Sequence, residues 1–427
     1  MRDGTYVENV DVDKSLTIRS ENGPENCIVQ AASSDDYAFE VTADRVNIIG
    51  LTVREVPSSY GGITLHNADH CRIANTTISV NVPRIHLTRG IKLWDSDKCQ
   101  ITGNTISGNF HGIDFGGDSN ENIISNNTIS GNEYGIYLSG TSGNTIANNV
   151  FVNDGLFVSI AYQNKVENNT VNDKPLVYLE KVFDYAVKDA AQVILVNCNN
   201  ITVEDLDLSN ATCGIELLKT DNCRIANNTA SNNWYGISLD GSSVNTLTGN
   251  VVSNNHDGIC LYGSSVNTLT NNTVSDNYNG IRLDEGSGGN TLANNTVSEN
   301  KWGIDLYYSD GNILTENIAS NNWYGICLAE SIENIIYLND FIDNADTVRS
   351  HYSTNVWNSA EKITYTYRGK TYTNYLGNYW DDYNGIDINK DGIGFPPYRI
   401  DGDKDNYPLM VCSENYQIGT HTRDLTH

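Results

Sequence analysis

Apolar and polar residues alternate in short segments that are separated by polar turns, and this arrangement recurs along most of the chain. Alternation over three to four positions predicts β-strands rather than helices. In the second half the repeats begin at glycines that are 22, 22, 22, 23 and 22 residues apart. Nine repeats start with Gly-Ile-x-Leu or Gly-Ile-x-Phe, and their glycines are Gly90, Gly112, Gly135, Gly214, Gly236, Gly258, Gly280, Gly303 and Gly325.

Each repeat of about 22 residues reads as three short strands joined by turns. One such rung cannot bury its apolar side alone, but rungs stacked about 4.8 Å apart build a continuous core and pair their backbones. The pattern therefore predicts an all-β fold, a right-handed single-stranded parallel β-helix. Stacked asparagines at one turn are expected to hydrogen-bond along the coil, and they are Asn104, Asn127, Asn149, Asn228, Asn250, Asn272, Asn295 and Asn317.

The repeat defines two regions. Residues 1–349 are predicted to form the β-helix, with an insertion at about 81–89 and an excursion from the coil at about 173–192. Residues 350–427 are rich in Tyr, Asp and Gly and lack the period, so they are predicted to cap the open end of the coil.

The net charge and the hydropathy of the chain limit the classes of partner that can be expected. The 427 residues carry a formal net charge of −27, which would repel a phosphate backbone, so nucleic acid is not an expected partner. No run of 18 apolar residues occurs, so no membrane span is predicted. We expect an extracellular or cell-surface protein whose signal peptide has been removed; the pattern does not indicate an oligomeric state.

Three segments carry a resemblance to a known family. They are the run from Asp3 to Ile18, the G-I-x-L and N-N-T rungs, and the closing Gly377-Asn378-Tyr379-Trp380-Asp381-Asp382-Tyr383. Together they resemble the NosD-like β-helix family, within a broader group of carbohydrate-binding proteins and sugar hydrolases, and the C-terminal segment resembles archaeal cell-surface proteins. The resemblance implies the fold over almost the whole chain and is less specific for activity.

Two functions of different classes stay open at this point. One is binding, and perhaps cleavage, of a polysaccharide by a lyase or glycoside hydrolase; the other is a non-catalytic scaffold or adhesin of the cell envelope. Copper handling, which the family label suggests, is the least favoured. Copper sites use clustered His, Met or Cys, but Met occurs only at positions 1 and 410 and the eight His form no H-x-H pattern.

The first candidate catalytic cluster is Lys92, Asp114 and Tyr137. Each is the x of a G-I-x-L strand, so its side chain points outward and the three are expected in one column. Lys, Tyr or His could act as the base in β-elimination on a uronic acid, with Arg89 neutralising the carboxylate. The alternative interpretation is an ion pair between Lys92 and Asp114 on adjacent rungs.

The second candidate cluster is Asp240, Asp284 and Asp305 beside Arg282. Asp240 and Asp284 are two rungs apart, about 9–10 Å, which would suit an inverting glycosidase. The alternative is a set of solvated surface acids. Exposed rings and charged groups near the two clusters are candidate substrate-binding residues, namely His66, Arg89, Trp94, His111, Tyr134, Trp234, Tyr235, Arg282, Trp302 and Trp323.

A calcium site is predicted in the C-terminal region, and no organic cofactor is expected. Residues 387–394 read D-x-N-x-D-G-x-G, which places hard oxygen ligands at alternate positions before a glycine turn. The candidate ligands are Asp387, Asn389, Asp391, Asp401, Asp403 and Asp405. A solvated acidic turn is the alternative.

Two pairs of cysteines precede similar strands, Cys71 with Cys99 and Cys198 with Cys223. If each pair lay on neighbouring rungs, its Cα atoms would be within disulfide range. Buried free thiols are the other interpretation, and the sequence favours it.

Overall fold

The computed structural model of the chain describes residues 1–33, 35–54, 60–79 and 88–418. The chain divides into two compact units. Unit 1 comprises Met1–Asn199, Leu206–Thr220 and Ala230–Tyr235, and unit 2 comprises Asn200–Asp205, Asp221–Thr229 and Gly236–His427. Within the described ranges, no helix is long and apolar enough to cross a membrane.

Unit 1 contains a parallel coil with three faces, and each rung contributes one strand to each face. The first face contains Gly4–Val7, Cys27–Gln30, Thr52–Arg54, Thr77–Ser79, Thr105–Ser107, Thr128–Ser130, Val150–Val152 and Thr170–Val171. The second contains Val10–Val12, Phe39–Val41, Ile63–His66, Arg89–Trp94, His111–Gly116, Tyr134–Ser139 and Leu156–Ser159. The third contains Thr17–Arg19, Asn47–Ile49, Arg72–Ala74, Gln100–Thr102, Ile123–Ser125, Thr145–Ala147 and Lys165–Glu167.

The alternation of the sequence decides which side chains enter the coil. On the strand Arg89–Trp94, Ile91 and Leu93 are fully buried and Lys92 between them points outward. The same inward positions lie opposite one another on the next rung, because Ile91 pairs with Ile113 and Leu93 with Phe115. A continuous apolar core along the coil follows, and the predicted parallel β-helix is confirmed.

The segment 173–192, predicted to leave the coil, is mostly paired strand. Lys174–Glu180 runs antiparallel to Thr170–Val171 and parallel to Gln192–Val196. The sequence pattern missed this because these strands lack the Gly-Ile-x-Leu signature, although they keep apolar residues such as Leu176 and Val187 inside. Unit 1 also contains the strands Phe183–Val187 and Cys213–Leu218. Residues 81–87 of the other predicted insertion lie outside the described residues.

Unit 2 repeats the three-faced plan. Its first face contains Tyr235–Asp240, Asp257–Tyr262, Asn279–Asp284, Trp302–Tyr307, Tyr324–Ala329 and Asp346–His351. The second contains Asn199–Glu204, Arg224–Ala226, Thr246–Thr248, Thr268–Thr270, Thr291–Ala293, Ile313–Thr315 and Ile335–Tyr337. The third contains Val251–Ser253, Thr273–Ser275, Thr296–Ser298, Ile318–Ser320, Asp340–Ile342 and Tyr379–Trp380, and the strand Thr229–Ser231 contains residues of both units.

The C-terminal region closes against the last rungs of unit 2. Its strand Tyr379–Trp380 pairs with Asp340–Ile342, and the Trp380 ring stacks on Phe341 with centroids 4.6 Å apart. The coil strand Asp346–His351 runs across the predicted boundary at 349. The remaining elements are Ile363–Tyr367, Lys370–Asn374, Tyr398–Ile400, Asp403–Asp405, Gln417–Ile418 and the 3₁₀ turn Ser413–Asn415.

Asparagines explain how the turns are held. In each N-N-T turn the first asparagine adopts a left-handed conformation, as at Asn126 with φ 56°, which asparagine tolerates better than most residues. The second is buried, and along the coil such asparagines bond one another, as Asn127 Nδ2 does with Asn149 Oδ1 at 2.9 Å. The predicted asparagine stacking is therefore present in both units, for example from Asn250 to Asn272.

Candidate functional site

The outer column predicted on unit 1 is present. Lys92 lies opposite Asp114 on the next rung, and Asp114 lies opposite Tyr137 on the one after. All three occupy the outward position between two buried apolar residues of their strand. Their side chains therefore share one surface although they are separated by more than twenty residues in the chain.

Asp114 is held as a carboxylate by its neighbours. Arg89 Nε forms an ion pair with Asp114 Oδ2, and His111 Nδ1 lies 3.6 Å from the same oxygen. Burial, which leaves Asp114 6% exposed, would raise the pKa of its carboxyl. The contacts with His111 and Arg89 outweigh burial, so the pKa of Asp114 lies below its ordinary value.

The surroundings of Lys92 favour its neutral form, in contrast to those of Asp114, which favour the charged form. Burial is the largest cause and the charge of Arg89 adds to it, so the pKa of Lys92 is lowered, although Asp114 acts to raise it. Its Nζ lies 4.6 Å from the centroid of the Trp94 ring. A lowered pKa increases the fraction of neutral amine, which is the form of lysine that can accept a proton.

Trp94 is an exposed ring that lies against the backbone of the next rung. It is 42% exposed and its register partner is Gly116. A Cβ atom at Gly116 would lie 2.7 Å from Trp94 Cε3, so only glycine at this position lets the indole rest where it does. The outward ring is the kind of surface on which an apolar sugar face can stack.

The other predicted aromatic residues of unit 1 contact one another. The His111 and Tyr137 rings are stacked with centroids 5.0 Å apart, and Tyr137 stacks in turn on Phe157 at 5.8 Å. Phe157 stacks on Tyr235 at 5.2 Å, and Trp234 contacts Tyr134 at 5.8 Å. Burial, and then Tyr235, raise the pKa of Tyr134, as expected for a phenol inside an aromatic cluster.

Sequence reasoning missed Phe157. Its rung reads Gly155-Leu156-Phe157-Val158, which departs from Gly-Ile-x-Leu at two positions but keeps the glycine and the outward third residue. Phe157 is the register partner of Tyr137. A pattern that accepted any apolar residue at the inward positions would have found it.

Part of this surface forms a cleft of about 370 Å³, called here the basic cleft. Asp114 is the only acid among its described lining residues, against the cations Arg89 and Lys92. His66, the register partner of Trp94, is exposed and lies outside the lining. The lining consists of Arg89, Lys92, Trp94, Phe110, His111, Asp114, Phe115, Gly116, Gly117, Tyr134, Tyr137 and Ser139.

The second predicted cluster lies on the first face of unit 2, and Arg282, Asp284, Asp305 and Asp257 are called here the acidic face. Arg282 Nη2 bonds Asp284 Oδ2 at 2.6 Å, and Arg282 Nε lies 3.8 Å from Asp305 Oδ2. Asp257 is bonded by the side chain of Asn279. Asp240 lies on the same sheet at the end of Tyr235–Asp240 and is half-buried.

Asp305 has a raised pKa because it is partly buried and has acidic neighbours. Burial is the largest cause and raises the pKa of Asp305 to about 6. Arg282 opposes the rise, and the charges of Asp284 and Asp257 add to it. A carboxyl with such a pKa can hold a proton near neutral pH, as a general acid must.

The two remaining predicted tryptophans also lie in unit 2. The Trp302 ring stacks on Tyr324 with centroids 4.2 Å apart. Trp323 is 60% exposed and lines a cleft of about 960 Å³ beside Asp346, Asp382 and Tyr398. Neither ring belongs to the acidic face.

Two of the predicted calcium ligands, Asp403 and Asp405, accept hydrogen bonds from N–H groups of the protein. Asp403 Oδ2 accepts the backbone N–H of Asn355 at 2.9 Å. Asp405 Oδ2 accepts the N–H of Asn378 at 2.7 Å and Trp380 Nε1 at 3.0 Å. Both carboxylates thus end a row of stacked asparagines, which is a position that sequence spacing did not indicate.

Of the remaining predicted ligands, Asp387, Asn389 and Asp391 lie in one loop, and Asp401 lies in the turn between the strands Tyr398–Ile400 and Asp403–Asp405. The Asp387 carboxylate accepts the N–H groups of Asp391 at 3.1 Å and Gly392 at 3.0 Å, while Asn389 and Asp401 are exposed. The calcium site stays a prediction.

Across residues 1–33, 35–54, 60–79 and 88–418, no three His, Cys, Asp or Glu side chains are grouped to hold a metal ion. The two methionines, Met1 and Met410, lie at opposite ends of the chain. Copper sites use clustered His, Cys or Met ligands, so the described residues do not fit a copper centre.

Three solved structures are similar to this chain at low identity. The Dettilon tailspike protein is 15% identical, with 71% of this chain and 60% of that chain covered and a TM-score of 0.31. An alginate lyase from Paenibacillus sp. str. FPU-7 is 17% identical, with 67% of this chain and 89% of that chain covered and a TM-score of 0.32. A periplasmic alginate epimerase is 16% identical, with 79% of this chain and 77% of that chain covered and a TM-score of 0.30. At these scores the similarities carry no argument about activity.

No curated protein matches the sequence. The sequence profile of one family does match, over residues 21–180 and 195–385, and that family is described as periplasmic copper-binding protein (NosD). These residues are most of the chain and include both coils. The chain therefore belongs to the NosD family.

Proposed function

We propose that the protein binds a uronate-containing polysaccharide in the basic cleft of unit 1 and cleaves it by β-elimination. The observation that supports this proposal is the outward column of Lys92, Asp114 and Tyr137, in which Lys92 has a lowered pKa and Asp114 is paired with Arg89. Two basic side chains, Arg89 and Lys92, lie together there in a protein with a formal net charge of −27.

Binding follows from charge and from one ring. Arg89 stays charged when Lys92 is neutral, so Arg89 is the group that attracts a uronate carboxylate to the cleft. The exposed face of Trp94 can pack against the C–H face of a sugar. Rungs are about 4.8 Å apart, close to the length of one sugar residue, so a chain lying along the coil would place successive residues on successive rungs.

The elimination uses two proton transfers. The neutral amine of Lys92 takes the proton from C5 of the uronate, and the electron pair left on C5 forms the C4–C5 double bond. The C4–O bond breaks, and the leaving oxygen takes the phenolic proton of Tyr137. Tyr137 is two rungs from Lys92, which leaves room for one sugar residue between them. Asp114 lies between the base and the acid, and its negative charge is neutralised by Arg89.

One observation favours the second candidate, a non-catalytic scaffold or adhesin of the envelope. The rings of His111, Tyr137 and Phe157 stack on one another, so they already stabilise the coil without a ligand. The scaffold needs no proton transfer, and the lowered pKa of Lys92 would then be a consequence of packing alone.

The proposed location is outside the cytoplasm, where polysaccharides of the envelope are found. The description of the family as periplasmic supports it. A calcium ion at Asp387, Asn389 and Asp391 is proposed as a structural element of the C-terminal region, since oxygen ligands at alternate positions suit that ion.

A substrate screen tests the proposal. Polysaccharides with and without uronate are incubated with the full chain; elimination gives an unsaturated product that absorbs ultraviolet light, while hydrolysis gives only reducing ends. We expect ultraviolet absorbance to rise with uronate polymers and not with neutral ones. Binding without a product would support the scaffold, and reducing ends without absorbance would move the chemistry to the acidic face.

A further inference from the structure

Of the two cysteine pairs that the sequence places before similar strands, the structure brings one into register. Arg72 lies opposite Gln100 and Ile73 opposite Ile101, so Cys71 and Cys99 occupy matching positions on adjacent rungs of unit 1. The backbone agrees, because Gln100 N bonds Cys71 O at 2.8 Å. Adjacent rungs place Cα atoms about 4.8 Å apart, within the 4.4–6.8 Å that disulfides span.

The other pair is out of register. Thr202 lies opposite Arg224, so the position opposite Cys223 is Ile201, whose N–H points at Cys223 Sγ at 3.4 Å. Cys198 N instead bonds Thr220 Oγ1 at 3.0 Å. The matching positions that the sequence suggested for Cys198 and Cys223 are not present, and both are buried free thiols, the interpretation that the sequence favoured.

Both residues of the first pair are buried free thiols in this structure, and Cys71 Sγ donates to Ala43 O at 3.4 Å while Cys99 Sγ donates to Ala68 O at 3.2 Å. A hydrogen bond with Cys99 is the largest cause of a lowered pKa at Cys71, ahead of burial, which opposes it. The same contact, with burial, raises the pKa of Cys99. Val46 N also bonds Cys71 Sγ at 3.4 Å. The contact therefore sets the pKa of Cys71 below that of Cys99 in the folded protein.

We propose that Cys71 and Cys99 form a disulfide that joins two adjacent rungs of unit 1 when a disulfide donor such as oxidised glutathione is present. The bond would close a loop that contains the strand Arg89–Trp94 and so fixes the rung that carries Lys92. Both sulfur atoms are buried in the folded protein, so the exchange takes place while the chain folds.

The exchange balances in two steps. The Cys71 thiolate attacks the disulfide of the donor, whose S–S bond breaks and releases one glutathione thiolate. The Cys99 thiolate then attacks Cys71 Sγ and displaces the second glutathione. Two protein thiols have lost two electrons, the donor has gained them, and the two protons end on the two glutathione thiols.

The test refolds the full chain with reduced or with oxidised glutathione and counts free thiols in denaturant. We expect nine without the oxidant and seven with it, because the chain has nine cysteines. Tryptic digestion without reductant should join peptide 55–72 to peptide 99–165, each of which contains a single cysteine. The joined mass should be two hydrogen atoms below the sum of the two peptides.

Two variants complete the experiment. Cys99→Ser should keep eight free thiols with the oxidant, while the double variant Cys198→Ser and Cys223→Ser should still give the joined peptide. Nine free thiols in the oxidised wild type, or a bond between other cysteines, would overturn the proposal. The test is independent of polysaccharide cleavage, which can fail while the disulfide forms.

Discussion

The basic cleft of unit 1 and the acidic face of unit 2 are built on the same strand pattern but balance their charges in opposite ways. In each, an arginine contacts an outward aspartate. Asp114 has two basic neighbours, Arg89 and His111, and its pKa is lowered. Burial raises the pKa of Asp305 to about 6, and the charges of Asp284 and Asp257 add to the rise, which Arg282 opposes. The two aspartates occupy equivalent outward positions of their strands, and the charges around each one make their pKa values differ.

The largest expected difference between the two units is in activity. Replacing Lys92 with Met removes the proposed base and should lower polysaccharide cleavage by about 10³-fold, within the usual contribution of a general base. Ultraviolet absorbance of the product measures it. Lys301→Met is the matched control, since Lys301 lies 4.3 Å from the Tyr278 ring much as Lys92 lies over Trp94. Equal losses in the two variants would remove Lys92 from the mechanism.

A buried aspartate in each unit should make stability depend on pH in the same direction. Burial raises the pKa of Asp154 in unit 1 and of Asp405 in unit 2 to about 7 each. Because these values lie above those of the unfolded chain, the folded state binds more protons. Its extra stability is complete below about pH 4 and is lost as pH rises through 7.

Urea unfolding at pH 5 and pH 8 measures this dependence. We expect a higher free energy of unfolding at pH 5, by roughly 2–3 kcal/mol for each of the two aspartates. Asp154→Asn and Asp405→Asn should each flatten the dependence, since an amide does not titrate. A stability that rises from pH 5 to pH 8 would contradict the assigned protonation of both groups.

The two charge clusters should respond differently to the same substitution. Asp114→Asn leaves Arg89 without its ion-pair partner and should cost about 3 kcal/mol at pH 7, as does breaking a buried pair. Asp305→Asn removes a carboxyl that other acids already disfavour, and should change stability by less than about 1 kcal/mol. Denaturant midpoints compare the variants. A greater loss for Asp305→Asn would reverse the comparison.

The smallest expected effect is on binding by exposed rings. Trp94→Ala should weaken the affinity for a uronate oligosaccharide about tenfold, the typical value of one aromatic contact. Trp323→Ala in unit 2 should leave that affinity unchanged. Titration calorimetry with both variants tests this, and a loss confined to Trp323→Ala would place the binding surface on unit 2.

Much of the candidate site was predictable from the sequence because, in a coil, the position of a residue within the repeat determines where its side chain lies. A constant spacing and two inward residues per strand were enough to place Lys92, Asp114 and Tyr137 in one column. The aromatic cluster was predictable only in part. Trp234 and Tyr235 are about a hundred residues beyond Tyr134, and no repeat arithmetic indicates that their rings meet in unit 1.

Two kinds of residue resisted prediction for a physical reason. Asp403 and Asp405 carry the pattern of a calcium ligand, but a carboxylate also accepts N–H groups as an asparagine does, and spacing cannot tell these uses apart. Cys198 and Cys223 precede similar residues, but register depends on the loop lengths between strands, which shift by single residues.

The sequence by itself determined the rung, its inward and outward positions and the asparagine turns, because those depend on residues that are close in the chain. The tertiary structure alone decided where the coil pairing changes at Lys174–Glu180, which cysteines lie opposite each other, and which charges surround each aspartate. Those properties depend on burial and on neighbours from distant rungs, and no local pattern records them.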